Sequence, residues 1–223
     1  MATSDPEGRR RRLRRPVILA VAGVIVAAVV ATTATLTSGS GGSAAAGGAP
    51  AGATPAADHV PAAFGWLRAR PAPAGWHQAT LPGGGAVLSY PPSLRPGPGD
   101  HGTVTADLTT TSGRVLAFLN VTPRQGGETL ANWATFRLGH LRDDDARSAT
   151  LDSSATGLRF RGGTGSCVID DYVSKVGANH YREIACYVQG AHQASVLIAA
   201  APAADWGTYA GQLERAVSAF EVR

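Results

Sequence analysis

The 223-residue sequence predicts an α+β domain, a mainly antiparallel sheet with two helices packed on it, preceded by a single transmembrane helix. Three observations lead there. Pro16 to Leu36 is an uninterrupted stretch without charge. Beyond residue 62, short segments of alternating or continuous apolar residues are separated by Gly and Pro turn signals, the pattern of strands. Two further segments repeat apolar residues every three to four positions, the pattern of amphipathic helices. Strands, helix, strands, helix is the resulting order. Strands joined by short turns pair antiparallel, so the helices pack on an antiparallel sheet.

From Val17 to Ala31 every residue is apolar or Gly, and no charge follows Arg15 before Asp58. Twenty-one helical residues rise about 31 Å, the thickness of a hydrocarbon core. In lipid a helix satisfies its own backbone polar groups. Residues 16–37 are therefore expected to span the bilayer. Arg9, Arg10, Arg11, Arg12, Arg14 and Arg15 stand before this segment, and the next basic residue is Arg68. That asymmetry determines topology, with the N-terminus cytoplasmic and the C-terminal bulk extracytoplasmic. A cleaved signal peptide is the competing reading, with small residues at Thr32-x-Ala34 and Ala44-x-Ala46 as cleavage points. A lipoprotein is excluded, because the two cysteines are Cys167 and Cys186. Gly23, Ala27 and Ala31 fall four apart, a small-residue face that suits a weak homodimer, although lipid-facing alanines give the same spacing.

A pI near 9.5 suggests nucleic acid until the charge is located. The tail, residues 1–15, holds six arginines against Asp5 and Glu7, a net +4 that equals the net charge of the whole chain. The rest is balanced, so a nucleic-acid footprint is absent from the folded part. Residues 38–61 are almost entirely Gly, Ala, Ser and Pro, with too few apolar side chains to offset ordering entropy. As a flexible spacer they would reach about 25–30 Å. The folded domain is expected over 62–223.

Within it, 76–81 reads as a strand ending at the "PGGG" turn, and 86–90 as a strand stopped by Pro91 and Pro92. Residues 102–111 alternate Val104, Ala106 and Leu108 with threonines, a half-buried strand. Residues 114–122 are apolar on both faces and belong in the middle of a sheet. Thr129 can cap a helix over 130–142, with Leu130, Trp133, Ala134, Leu138 and Leu141 on one face. "DDDARS" ends it. Residues 149–162 form one or two strands, 167–174 and 180–188 flank a hairpin loop, and 194–201 is apolar throughout and central. Asp205 can cap a last helix over 205–222, with Trp206, Tyr209, Leu213, Val217 and Phe220 as its buried stripe.

Outside the membrane, two cysteines nineteen apart favour one disulfide. In a hairpin, facing positions have a constant index sum. Setting Cys167 opposite Cys186 also sets Ile169 against Ile184, Asp170 against Glu183, Asp171 against Arg182 and Tyr172 against Tyr181. A loop closed at Lys175 and Ala178 satisfies this register. A two-residue slip leaves the cysteines diagonal and too far apart to bridge. The Asp170–Glu183 pairing is the unfavourable member of the set. Two buried free thiols are the alternative.

The element order, with "GW" and a strand pair ending "LSYPP", then "LNVTP", "ETLANWATFRL" and "LERAVSAF", resembles the PsbP-like fold across about 76–222. That α/β/α sandwich is shared by photosynthetic extrinsic proteins and by secreted lipoproteins of the LpqN type in high-GC Gram-positive bacteria. Where those lipoproteins carry a lipidated Cys, this chain carries an apolar helix. The resemblance implies an accessory or binding role without catalysis and assigns no site residues.

Motifs for catalysis, cofactor or metal do not emerge. "GTGSCV" (163–168) misses the nucleophile elbow because Val168 stands where Gly is needed. Asp143, Asp144 and Asp145 lack the alternation and the turn Gly of a calcium loop, and read as a solvated helix stop. His140 on the first helix reads as solvated. Asn120-Val121-Thr122 matches a glycosylation acceptor inside a strand expected to be central. Asp170, Asp171 and Tyr172 with Tyr181 and Arg182 opposite form the densest polar and aromatic cluster. They are the candidate ligand surface, against the plainer reading of a hairpin's solvent face. Two functions follow for comparison. One is an envelope interaction or accessory module, contacting the bilayer through 16–37 and an envelope protein, lipid or glycan through its domain. The other is an envelope hydrolase, which requires a Ser or Asp to meet one of the six histidines.

Overall fold

The computed structural model describes residues 60–223. The tail 1–15 with its six arginines, the apolar segment 16–37 with Gly23, Ala27 and Ala31, and the spacer through His59 lie outside the described residues. Among the described residues no helix is long and apolar enough to cross a membrane.

A short 3-10 turn at Ala62–Phe64 opens the domain, followed by β1 (His77–Thr80), β2 (Ala86–Tyr90), β3 (Arg95–Pro96), β4 (Val104–Thr109) and β5 (Val115–Pro123). Next come α1 (Trp133–His140), then β6 (Ala146–Phe160), β7 (Gly163–Ser174), β8 (His180–Gly190) and β9 (Ala194–Pro202). The chain closes with α2 (Trp206–Ala219) and β10 (Glu221–Val222). Seven strands form one sheet in the order β3-β4-β5-β9-β8-β7-β6, and β1-β2-β10 form a second. Every strand pair is antiparallel. The domain is thus α+β with mainly antiparallel sheets and two helices.

The side-chain alternation of a strand assigns each face of the large sheet. Ala117, Leu119, Cys167, Ile169, Ile184, Cys186, Leu197 and Ala199 point to one face and join the main core with Leu213, Ala216, Val217 and Phe220 of α2, Leu88 of the small sheet, and Phe64. Val168, Ala185, Tyr187 and Val196 point to the other, where Trp133 of α1 covers them. β5 and β9, expected to be central, lie side by side in the middle of the sheet. The β1–β2 turn uses Gly83 and Gly84 at positive φ, a backbone form that a Cβ disfavours.

Several element bounds differ from expectation. The first helix begins at Trp133, not Leu130, with 130–132 a turn ahead of it; Thr129 caps that turn as expected, the Asn132 N–H donating to Thr129 Oγ1 (3.1 Å) and the Thr129 N–H to Asn132 Oδ1 (2.7 Å). At its end α1 runs on into a wider π-helical turn over Leu141–Asp145, in which Asp143 and Asp144 are exposed as a solvated stop would have them. Of the one or two strands expected over 149–162 there is one, beginning earlier at Ala146 and ending at Phe160, with register shifts at 146–148, 151–153 and 155–158 that let it follow β7. The last helix ends at Ala219, where Phe220 turns extended and Glu221–Val222 pairs with β2. Asp205 makes no capping bond, and its carboxylate instead lies 3.4 Å from Arg114.

Candidate functional site

The β7–β8 hairpin pairs Cys167 with Cys186, Ile169 with Ile184, Asp170 with Glu183, Asp171 with Arg182 and Tyr172 with Tyr181. The Ser174 N–H donates to the Asn179 carbonyl, and the turn over Lys175–Ala178 closes with Gly177 and Ala178 both at positive φ. Cys167 and Cys186 are joined by a disulfide with Cα atoms 4.1 Å apart, buried in the main core.

Strand alternation divides the five residues of the candidate ligand surface between the two faces of the sheet. Asp171 and Arg182 lie on the α2 face. There the Arg182 guanidinium donates to Asp171 Oδ2 (2.6 Å) and to Asp152 of β6, and it lies 5.9 Å from the centre of the Trp206 ring. Asp170, Tyr172 and Tyr181 lie on the α1 face, with the two tyrosine rings stacked at 5.5 Å. The five therefore do not form one surface; Asp171, Tyr172, Tyr181 and Arg182 are partly exposed, as a solvent face would have them, and Asp170 is not. Asp170 is fully buried, and Tyr172 packs against Leu141, Ala146 and Ala149.

Beneath α1 lies an arrangement of charge. Glu183 of β8 is 1% exposed, and Arg137 of α1 reaches it in a fork, Nε to Oε1 at 2.7 Å and Nη2 to Oε2 at 2.8 Å. Asp170, directly across the strand pair from Glu183, is 0% exposed, and neither of its carboxylate oxygens has a hydrogen-bond partner. Burial pushes the Asp170 carboxyl up to about 8, with Glu183 adding to the effect and Arg137 opposing it. Burial alone would pull the Arg137 guanidinium down, but Glu183 more than offsets this and leaves it above its ordinary value. Burial, then Glu183, raises the Tyr172 phenol well above its ordinary range. A buried acid left without a donor is held neutral because ionisation would leave a second anion in a site with one cation.

Arg137 was not in the expected stripe, yet it had a signal. It stands four residues from Trp133 and four from Leu141, both buried, so it occupies the same face of the helix. A cation at a buried helical position, with two carboxylates set opposite each other on a facing hairpin, is the pairing the sequence offered.

The other candidates are placed as follows. Ser166 donates its hydroxyl to the Leu130 carbonyl at 2.6 Å and is buried. His140 is not simply solvated: its Nδ1 lies 3.0 Å from Asp144 and its Nε2 3.6 Å from Asp145. The Asp143 carbonyl accepts from Lys175 Nζ. Asn120 donates to Thr105 Oγ1 at 2.9 Å from its central strand. Among the described residues, no group of three or more metal-binding side chains converges. Open clefts among the described residues include two of note. One, of about 490 Å³, is lined by His77, Tyr90, Pro92, Leu94, Arg95 and Pro96. The other, of about 210 Å³, lies between strand ends among Arg114, Asn179, His180, Tyr181 and Pro202.

No protein-family model matches the chain, and no curated protein matches it. Solved structures resemble it at the level of fold. A cyanobacterial PsbP from Synechocystis sp. PCC 6803 matches with 14% identity and a TM-score of 0.47, covering 68% of this chain and 94% of its own. A protein of unknown function from Pseudomonas aeruginosa matches with 12% identity and a TM-score of 0.43, covering 64% and 94%. LpqN, described as involved in cell envelope biogenesis of Mycobacterium tuberculosis, matches with 14% identity and a TM-score of 0.30, covering 68% and 80%. At TM-scores this low the likenesses carry no argument about ligand, partner or activity.

Proposed function

We propose that this chain is a single-pass, membrane-anchored interaction or accessory module of the bacterial cell envelope. Residues 16–37 hold it in the bilayer with the N-terminus cytoplasmic, residues 38–61 act as spacer, and the domain over 62–223 binds an envelope protein, lipid or glycan without turnover. The observation that carries the compartment is the Cys167–Cys186 disulfide, fully inside the core between two long strands. Such a bond forms and persists in an oxidising compartment. The arginine run before the apolar segment supports the same orientation. Binding is preferred to hydrolysis because Ser166, in the motif nearest to a nucleophile elbow, is buried and donates to the Leu130 carbonyl rather than to a histidine.

Paired reporters fused after Arg223 test this reading. A phosphatase that folds only outside the cytoplasm should be active and a fluorescent protein that matures only inside should stay dark. Carbonate extraction should leave the fusion in the membrane fraction. The reverse reporter pattern would overturn the orientation, and release into the medium would replace the anchor with a cleaved signal peptide.

A further inference from the structure

Asp170 is the least ordinary side chain among the described residues. It is wholly enclosed, both oxygens lack a donor, and a second carboxylate stands directly opposite. The one cation in the enclosure, Arg137, gives its Nε and Nη2 to Glu183. That cation belongs to α1, which covers this end of the α1 face. α1 has only eight residues, seated by the Trp133 ring over Val168, Ala185, Tyr187 and Val196 with Ala134 beside it, by the Trp133 indole N–H donated to the Ala185 carbonyl at 2.9 Å, by the Arg137 fork, and at its two ends by the Ser166–Leu130 bond and by Leu141 packed on Ala146 and Ala149. Isolated helices of this length are not stable in water, so α1 exists because it is seated.

We propose that the seating of α1 on the sheet is a proton-dependent latch, closed while Asp170 holds its proton and sprung when that proton leaves to solvent. With Asp170 neutral, the enclosure holds one cation and one anion. With Asp170 ionised it holds two anions for one cation, and the new charge, closed off from the surface, has no protein donor. Lifting α1 supplies water to Asp170 and withdraws Arg137 from Glu183 in the same movement. The groups around Asp170 agree with this assignment. From β8 come Glu183 and Tyr181, and from β7 Tyr172. Arg182 and Asp171 are paired with each other through the sheet, and Asp152 of β6 is on Arg182. The next charged group along α1, His140, is committed to Asp144 and Asp145. Arg137 is therefore the cation that answers Asp170, and it is already shared. The Asp170 carboxyl, near 8 while α1 is seated, sets the upper end of the transition. The latch does not depend on what the domain binds.

Trp133 is the reporter, since it rides on α1. The full chain, labelled with 5-fluorotryptophan and held in lipid nanodiscs, would be followed by fluorine NMR from pH 6 to pH 9, with the Trp133 resonance assigned by W133F. We expect that resonance to shift or broaden as pH rises toward 8, while those of Trp66, Trp76 and Trp206 hold still. Asp170→Asn keeps the shape and removes the ionisation, and should leave the Trp133 signal at its low-pH position throughout. Glu183→Gln removes the opposing carboxylate and frees Arg137, and should move the midpoint to lower pH. A Trp133 signal that ignores pH in the wild type overturns the latch. So does a titration that survives in Asp170→Asn, an unmoved midpoint in Glu183→Gln, or all four tryptophans moving together as in global unfolding.

Discussion

On one face of the seven-stranded sheet, Cys167, Ile169, Ile184, Cys186, Leu197 and Ala199 lie under α2 and the small sheet. On the other, one residue along the same strands, Val168, Asp170, Glu183, Ala185 and Val196 lie under α1. The first face is closed by apolar area and a covalent bond. The second is closed by Trp133 with a smaller apolar cluster, by Leu141 at the far end of the helix, and by an ion pair beside an unpartnered acid. Apolar contact is non-directional and survives small shifts of the cover. The forked Arg137–Glu183 pair is directional, sensitive to charge and costly to break from one side. One sheet thus carries a face that resists change and a face that responds to it.

The largest test of that contrast is Arg137→Met, which strands Glu183 beside Asp170. It should cost about 3–5 kcal/mol in urea denaturation followed by near-ultraviolet circular dichroism. Removing both partners in Arg137→Met/Glu183→Leu should recover most of the loss, because no buried charge is then left alone. If the single and double variants are equally unstable, the pair is not what closes this face. On the opposite face, Cys167→Ala/Cys186→Ala should cost about 3 kcal/mol for a loop of this size, with the α1 signal of Trp133 unchanged.

Proton linkage separates the two faces further. The folded Asp170 carboxyl sits near 8 against an ordinary 3.8, so the folded state holds a proton that the unfolded state releases. Stability from this group is therefore full below about pH 4, declines as pH rises toward 8, and is flat above that. Urea midpoints should fall from pH 5 to pH 8 in the wild type, and Asp170→Asn should remove that part of the slope. A slope unaffected by the variant would place the titrating group elsewhere. Thr129→Ala, which loses the acceptor for the Asn132 N–H ahead of α1, should cost about 1 kcal/mol. The smallest effect belongs to Asp205→Ala, whose partner Arg114 is well exposed. A change of less than about 1 kcal/mol is expected there, and a larger one would mean that Asp205 supports α2 after all.

Much of this was legible from residues. Index arithmetic on Cys167 and Cys186 set the hairpin register, and the structure has that register down to Asp170–Glu183. Periodicity placed both helices and the central strands, since burying apolar side chains requires the 2.0 and 3.6 repeats. The short strands β3 and β10 were not visible. Two-residue segments such as Arg95–Pro96 and Glu221–Val222 carry no period of their own and become strands only because β4 and β2 offer open edges. The candidate surface failed for a related reason. Its five residues are neighbours along the chain, but neighbours on a strand point to opposite faces, so Asp171 and Arg182 went one way while Asp170, Tyr172 and Tyr181 went the other.

The sequence by itself determined the fold class, the hairpin register and the disulfide, because these follow from local period, turn chemistry and the short reach of a sulfur–sulfur bond. Only the tertiary structure decided that Arg137 turns inward to Glu183 and that Asp170 is sealed without a partner. Whether a charged side chain faces water or another charge depends on which element is laid over it, and α1 meets β7 and β8 through contacts more than thirty residues apart in the chain.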